Sequence, residues 1–202
     1  MISGTGRSGS PIPIRRRHPM NVHIRGLPCR TGFTMLEFII AVIILGILAS
    51  IAIPAFVTWL PRYRLKHAAN DLYANMQNVK MMAIRSNEKC KLIFSSAGNG
   101  SYTIKGPEGT PEKTVDFLDY GNHGDIGYGC GDATKSATVS GDPIPEDFIS
   151  YGYNQLTFNP RGLGSTGYVY LSGDTGIAYA VGTWSAGVIV LKKWNVSKKI
   201  WE

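Results

Sequence analysis

Hydrophobic and polar positions divide this chain into three stretches of different period. Residues 38–53 are apolar except for Gly46 and Ser50, and the run extends through Pro54 to Trp59 and Leu60. About twenty such residues cross a bilayer core at a rise of ~1.5 Å each. One carboxylate, Glu37, stands at the mouth of the run, where a charge is costly in lipid and signals function. After Leu60 and Pro61 the pattern becomes amphipathic: Leu65, Ala68, Ala69, Leu72, Met76, Val79 and Ala83 recur at three- and four-residue spacing. Arg64, Asp71, Asn75, Asn78 and Lys80 fill the other faces. The two stretches predict one long helix from about Thr34 to Arg85, with a bend near 48–54 because Pro54 lacks an N–H and crowds the preceding turn. Its first half suits a membrane or a helical filament core, and its second half packs one stripe on a globular domain.

From Cys90 onward the period changes to that of strands. Residues 90–95 and 101–105 flank Ala97-Gly98-Asn99-Gly100, a hairpin pattern. Further strands are expected at 113–118, 155–158, 168–171, 177–181 and 187–194, the last nearly continuously apolar and so placed centrally in a sheet. Residues 119–147 are rich in Gly, Asp and Pro and read as an exposed, variable loop. The fold class is α+β: a long bent N-terminal helix, membrane half plus amphipathic half, packed on a C-terminal domain of two small antiparallel sheets.

Charge changes the picture only at the start. The 202 residues carry a formal charge of +7. Six arginines and no acid fall within 1–32, leaving 15 basic against 14 acidic residues in the remainder. The basicity belongs to the first 32 residues and fits the cytoplasmic flank of a membrane helix. It does not mark a nucleic-acid-binding domain.

No catalytic set emerges. His67 and His123 have no nucleophile beside them, and Gly127-Tyr128-Gly129-Cys130-Gly131 lacks the strand-to-helix context of a phosphate cradle. Asp119, Asp125 and Asp132 do not follow a calcium-loop spacing, so neither metal nor cofactor is expected. Lys192, Lys193, Lys198 and Lys199, with Trp194 and Trp201, form a candidate DNA contact, since cations hold phosphates and aromatics stack bases. A solvated strand end with packing tryptophans is the plainer reading of the same residues.

Arg30-Thr31-Gly32-Phe33-Thr34-Met35-Leu36-Glu37, running into the apolar helix, resembles the class III leader of type IV prepilins and pseudopilins. The resemblance implies that a membrane prepilin peptidase cuts after Gly32 and N-methylates Phe33. It also implies that Glu37 sets assembly register and that Pro54 kinks the helix. Residues 1–32 would then be a cleaved leader (1–19 either disordered or an overcalled start, with Met20 offering a shorter one), 33–60 the transmembrane or filament-core helix, and 61–88 the amphipathic helix. Residues 89–202 would form a periplasmic β-rich domain with its variable loop at 119–147. Cys29 would leave with the leader. Cys90 and Cys130 would remain in an oxidising compartment, where they could bridge a loop of ~40 residues or stay as buried thiols.

Ala83-Ile84-Arg85-Ser86-Asn87 before a strand, and Phe158-Asn159-Pro160-Arg161-Gly162, resemble the GspH/FimT group of minor pseudopilins, although Leu191-Lys192-Lys193-Trp194 lacks that group's glycine-arginine ending. The implied role is structural and not enzymatic: a subunit of the type II secretion pseudopilus, at its tip or initiation complex, supporting export of folded proteins. The alternative is a FimT-like minor type IV pilin that primes pilus assembly and binds DNA in transformation. Expected partners are other pseudopilins or pilins through the N-terminal helix, the peptidase and the inner-membrane assembly platform. The expected location is the inner membrane, single-pass, with the N-terminus cytoplasmic.

Overall fold

The computed structural model describes residues 32–108, 112–121, 125–138 and 142–202. The leader arginines, Cys29 and His123 lie outside the described residues. Helix α1 spans Met35–Ser86. Thr34 caps it: its Oγ1 accepts from Glu37 N at 3.2 Å and its carbonyl from Phe38 N at 3.1 Å. Pro54 and Pro61 both lie inside the helix, which continues through them. Hydroxyls within the apolar stretch are turned back on the backbone, Ser50 Oγ to Ile47 O at 2.7 Å and Thr58 Oγ1 to Ala55 O at 3.0 Å. No polar side chain there is left seeking water.

Residues 33–45 present exposed apolar side chains, Phe33, Met35 and Leu36 among them. Within residues 46–202, Ile47 through Trp59 stay exposed, and burial then begins at Leu65. The buried stripe is the sequence-predicted one, Leu65, Ala68, Ala69, Leu72, Met76, Val79 and Ala83. Ala68, Ala69 and Ala83 share the main core with Leu72 and Met76, its larger members from α1.

Two antiparallel sheets complete the domain. The first has the order β3-β2-β1-β5, built from β1 (Cys90–Ser95), β2 (Ser101–Lys105), β3 (Lys113–Asp116) and β5 (Gln155–Phe158). The second has the order β4-β6-β7-β8-β9, from β4 (Ile126–Tyr128), β6 (Gly167–Gly173), β7 (Ala178–Thr183), β8 (Ile189–Asn195) and β9 (Ile200–Trp201). Cys90, Leu92 and Phe94 of β1 share the main core with Val169 and Leu171 of β6, Val181 of β7 and the α1 stripe. Alternation then sends Tyr168, Tyr170, Ala178 and Ala180 to the opposite face of the second sheet.

That opposite face corrects one expectation. Residues 119–147 are not simply an exposed loop. Ile126–Tyr128 pairs with β6, and Ala133, Ser136 and Ala137 are buried. Ala137 and Ile144 pack on Tyr168, Tyr170 and Ala180, and Ala133 on Ala178 and Trp194. A sheet apolar on both faces needs a second cover, and this segment supplies it. Its backbone is satisfied through side chains: Ala137 N donates to Tyr170 Oη at 2.8 Å, and Trp201 Nε1 donates to Lys135 O at 2.7 Å. The central strand is also different from expectation. All six residues of β7 are buried, whereas β8 is half-buried and borders the two-residue β9.

Candidate functional site

The chain enters α1 through four residues with separable roles. Thr34-Met35-Leu36-Glu37 has the form of a capping box, Thr at the cap and Glu three residues on. Gly32 answers no demand of the fold: a Cβ built there meets nothing within 4 Å, and its φ is not in the left-handed region. Phe33 is 77% exposed and packs in no core cluster. Among the described residues Glu37 has no ion-pair partner. Of the three, only Glu37 takes part in the cap, and it does so through its backbone N–H.

Further along α1, His67 has neighbours within the chain. Its Nδ1 lies 3.7 Å from Asp71 Oδ2, which also accepts from Tyr120 Oη at 2.8 Å. Burial, followed by the hydrogen bond to Asp71, pushes the Tyr120 hydroxyl well above its ordinary pKa. His67 also borders a row of rings, Trp59 to Tyr63 at 5.0 Å and Tyr63 to His67 at 6.4 Å between centroids.

The Asn159-Pro160-Arg161-Gly162 segment is a junction. Asn159 Oδ1 accepts from both Arg161 N and Leu163 N at 3.0 Å, which folds the chain back on itself. Gly162 then turns at φ +77° against Ile84 and Lys80 of α1, and Lys80 Nζ donates to Gly187 O at 2.9 Å. Helix, turn and the β7–β8 hairpin meet there, which is why the sequence pattern spans residues so distant in the chain.

The cysteine bridge is not formed. Both thiols are free, Cys90 fully buried and Cys130 half-buried. Cys90 sits in the main core under α1, while Cys130 packs with Ala133, Ala178 and Trp194 in a separate cluster. Burial holds the Cys90 thiol above its ordinary pKa, opposed by a hydrogen bond with Ser86 and helped by the charge of Glu88. A buried, protonated thiol of this kind is inert.

The four C-terminal lysines are not one patch. Lys192 Nζ donates to Ala137 O at 3.0 Å and sits 5.2 Å from the Tyr168 ring centroid. Lys198 pairs with Glu202 at 2.5 Å. Trp194 and Trp201 pack edge to face with centroids 5.3 Å apart, so neither offers a free stacking platform. Lys193 and Lys199 are left exposed. Sequence reasoning missed Lys135 and Ser136, which the covering segment brings beside Lys192 and Lys199; no periodic signal in a Gly- and Asp-rich stretch announces that placement.

Comparisons with known proteins bear on both halves of the chain. Residues 27–53 match the prokaryotic N-terminal methylation motif, and residues 68–191 match the family described as type II transport protein GspH. The type IV major fimbrial protein FimA of Dichelobacter nodosus is 33% identical over 116 residues, which cover 55% of this chain and 60% of that protein. The chain therefore spans about three fifths of the length of that curated relative. No solved structure matches. With one helix among the described residues long and apolar enough to cross a membrane, a methylation motif at its start and a family match running from the second half of α1 into β8, this chain belongs to the GspH family of type II transport proteins.

Proposed function

We propose that this chain is a minor pseudopilin, a structural subunit of the type II secretion pseudopilus that joins the tip or initiation complex and supports export of folded proteins. The observation that carries this reading is at the helix entry. Among the described residues Gly32 and Phe33 have no role in packing and Glu37 has no ionic partner, yet all three stand at the start of a long exposed apolar helix. Their roles are then intermolecular. A peptidase cuts after Gly32 and methylates Phe33, and the new ammonium on one subunit meets Glu37 on its neighbour. Each charge alone is costly in a membrane or a helix core, and the pair fixes axial register. Pro54 supplies the bend that lets the lower helix leave the membrane while the β-rich domain stays on the periplasmic side.

Partners in this reading are other pseudopilins through α1, the peptidase and the inner-membrane platform. The chain performs no catalysis; the maturation chemistry is done to it. The relation to a fimbrial protein favours a second reading, a minor subunit that primes a type IV pilus. Lys192 and Lys198 are already engaged within the chain, which weighs against DNA as a partner in either reading.

Crosslinking of the tagged protein in its native cells, with neighbours identified by mass spectrometry, tests the assignment. The expected neighbours are other minor pseudopilins and secretion-platform proteins. Capture of a major pilin with pilus-assembly proteins would transfer the chain to a type IV pilus, and capture of no filament subunit would reject both readings.

A further inference from the structure

Where the apolar run of α1 ends, its exposed face changes character over a few residues. Phe56, Trp59 and Tyr63 are exposed, and their rings form a row, Phe56 to Trp59 at 6.2 Å and Trp59 stacked on Tyr63 at 5.0 Å between centroids. Trp59, Tyr63, Lys66 and Asn70 are exposed at three- and four-residue spacing. They therefore share the face turned away from the buried stripe of Leu65, Ala68, Ala69 and Leu72. Among the described residues the row meets a ring from outside α1 only at its far end, His67 against Tyr120 at 5.7 Å.

Cations stand beside these rings. Arg62, Arg64 and Lys66 follow Trp59, and the chain carries no acid between Glu37 and Asp71. Among the described residues none of the three cations is in an ion pair, and Asp71 is taken by His67 and Tyr120. Arg62 and Lys66 are neighbours on the helix surface at i and i+4, where like charges repel unless an anion stands between them.

Two features say which anion. Trp and Tyr collect where hydrocarbon gives way to headgroups, with the ring in the apolar layer and the polar edge in water. Trp59 and Tyr63 mark that level at the end of a run long enough to cross a bilayer, which puts the cations after them at the depth of the lipid phosphates. The second feature is the sign of the charge. Lys and Arg are depleted on the translocated flank of a membrane helix, so Arg62, Arg64 and Lys66, with no acid among them, run against that bias and call for a partner on that side. Arginine holds phosphate oxygens through paired N–H bonds, and each Lys or Arg near an anionic surface adds to the attraction.

We propose that Trp59, Arg62, Tyr63, Arg64 and Lys66 form a collar that binds the phosphates of anionic phospholipids, in preference to zwitterionic ones, in the leaflet on the domain side of the membrane. The proposal rests on the reading of α1 as a membrane anchor. Leaving the membrane for a filament strips these lipids, so the collar adds to the cost of extraction.

The test is lipid-selective quenching of Trp59 in the full chain, reconstituted in equimolar phosphatidylcholine and phosphatidylglycerol with bromine on the acyl chains of one lipid at a time. The chain has four tryptophans, and the difference from Trp59→Phe isolates the signal of Trp59. The arginines of residues 1–32 flank the opposite end of the apolar run, so they do not act on that signal. Brominated phosphatidylglycerol should quench Trp59 with a preference of about fivefold or more over brominated phosphatidylcholine, and added salt should weaken the preference. Arg62→Gln with Arg64→Gln and Lys66→Gln should bring the two lipids to parity. Arg62→Lys with Arg64→Lys should keep most of the preference, since the charge is retained. Equal quenching by the two lipids in the unaltered chain would overturn the collar and leave the anchor standing, and a preference that survives the triple glutamine variant would also overturn the collar. Quenching by neither lipid would put Trp59 outside the bilayer interface and overturn the anchor reading together with the collar.

Discussion

Glu37→Ala is expected to leave maturation intact and to reduce incorporation into the filament by about a hundredfold or more. Removing one member of a buried ion pair costs about 3–5 kcal/mol, because the other charge is left uncompensated. Here the stranded group would be the α-ammonium of a neighbouring Phe33. The structure offers a competing local role, since Thr34-Met35-Leu36-Glu37 has the form of a capping box. That role is smaller. Thr34 Oγ1 accepts from the backbone N of Glu37, a bond that any residue at 37 retains. Losing a cap costs about 1 kcal/mol, and it would act on helix entry in every state of the protein. Glu37→Gln separates the two, as glutamine keeps the box and loses the charge. We expect it to fail in assembly as Glu37→Ala does. Pull-down of filaments from native cells, with the processed fraction read by mass, measures both quantities; normal incorporation of Glu37→Gln would leave only the capping role.

Gly187→Ala carries the largest expected effect on stability. Gly187 has φ +73°, and a Cβ there would overlap the carbonyl oxygen of Gly162. Strain of a side chain in the left-handed region costs about 1–3 kcal/mol, and forced overpacking about 1–3 kcal/mol more. The overlap also falls at the junction of α1, the Asn159–Gly162 turn and the β7–β8 hairpin, where Lys80 Nζ donates to Gly187 O. We therefore expect a loss of about 4 kcal/mol and a drop in Tm of roughly 10 °C for a domain of this size. Gly152→Ala is the matched control, since a Cβ there meets nothing within 4 Å and φ is not left-handed. Its expected effect is near zero or slightly stabilising. Thermal unfolding followed by circular dichroism decides the pair, and equal melting temperatures would refute the junction as described.

The sequence made the helix and most strands legible because each rests on a local period. The seven apolar positions from Leu65 to Ala83 bury together as their spacing requires, and 90–95, 101–105 and 155–158 are strands at those bounds. What failed rests on contacts that no local period encodes. Residues 119–147 look like a solvated loop by composition, yet Ala137 and Ile144 from it cover a face that exists only once β6 and β7 have paired. β7 contains two alanines and Gly182 and so looks weaker than β8, but it lies between two full strands and is buried throughout. Small residues suit it because Tyr168 and the Gly167 carbonyl crowd the position of Gly182. The cysteine count suggested a bridge, whereas the fold sends the two thiols to different clusters. At the helix entry the opposite held. Gly32 and Phe33 were singled out from sequence, and the fold gives neither a use of its own.

The central claim is that this chain is matured as a pilin-type subunit, and the N-terminal peptide of the protein recovered from its native membrane tests it most directly. Mass spectrometry should find a chain beginning at Phe33, with one added methyl on its α-amine and nothing retained of residues 1–32. A mature chain that begins elsewhere, or an unmethylated terminus at Phe33, would contradict the account.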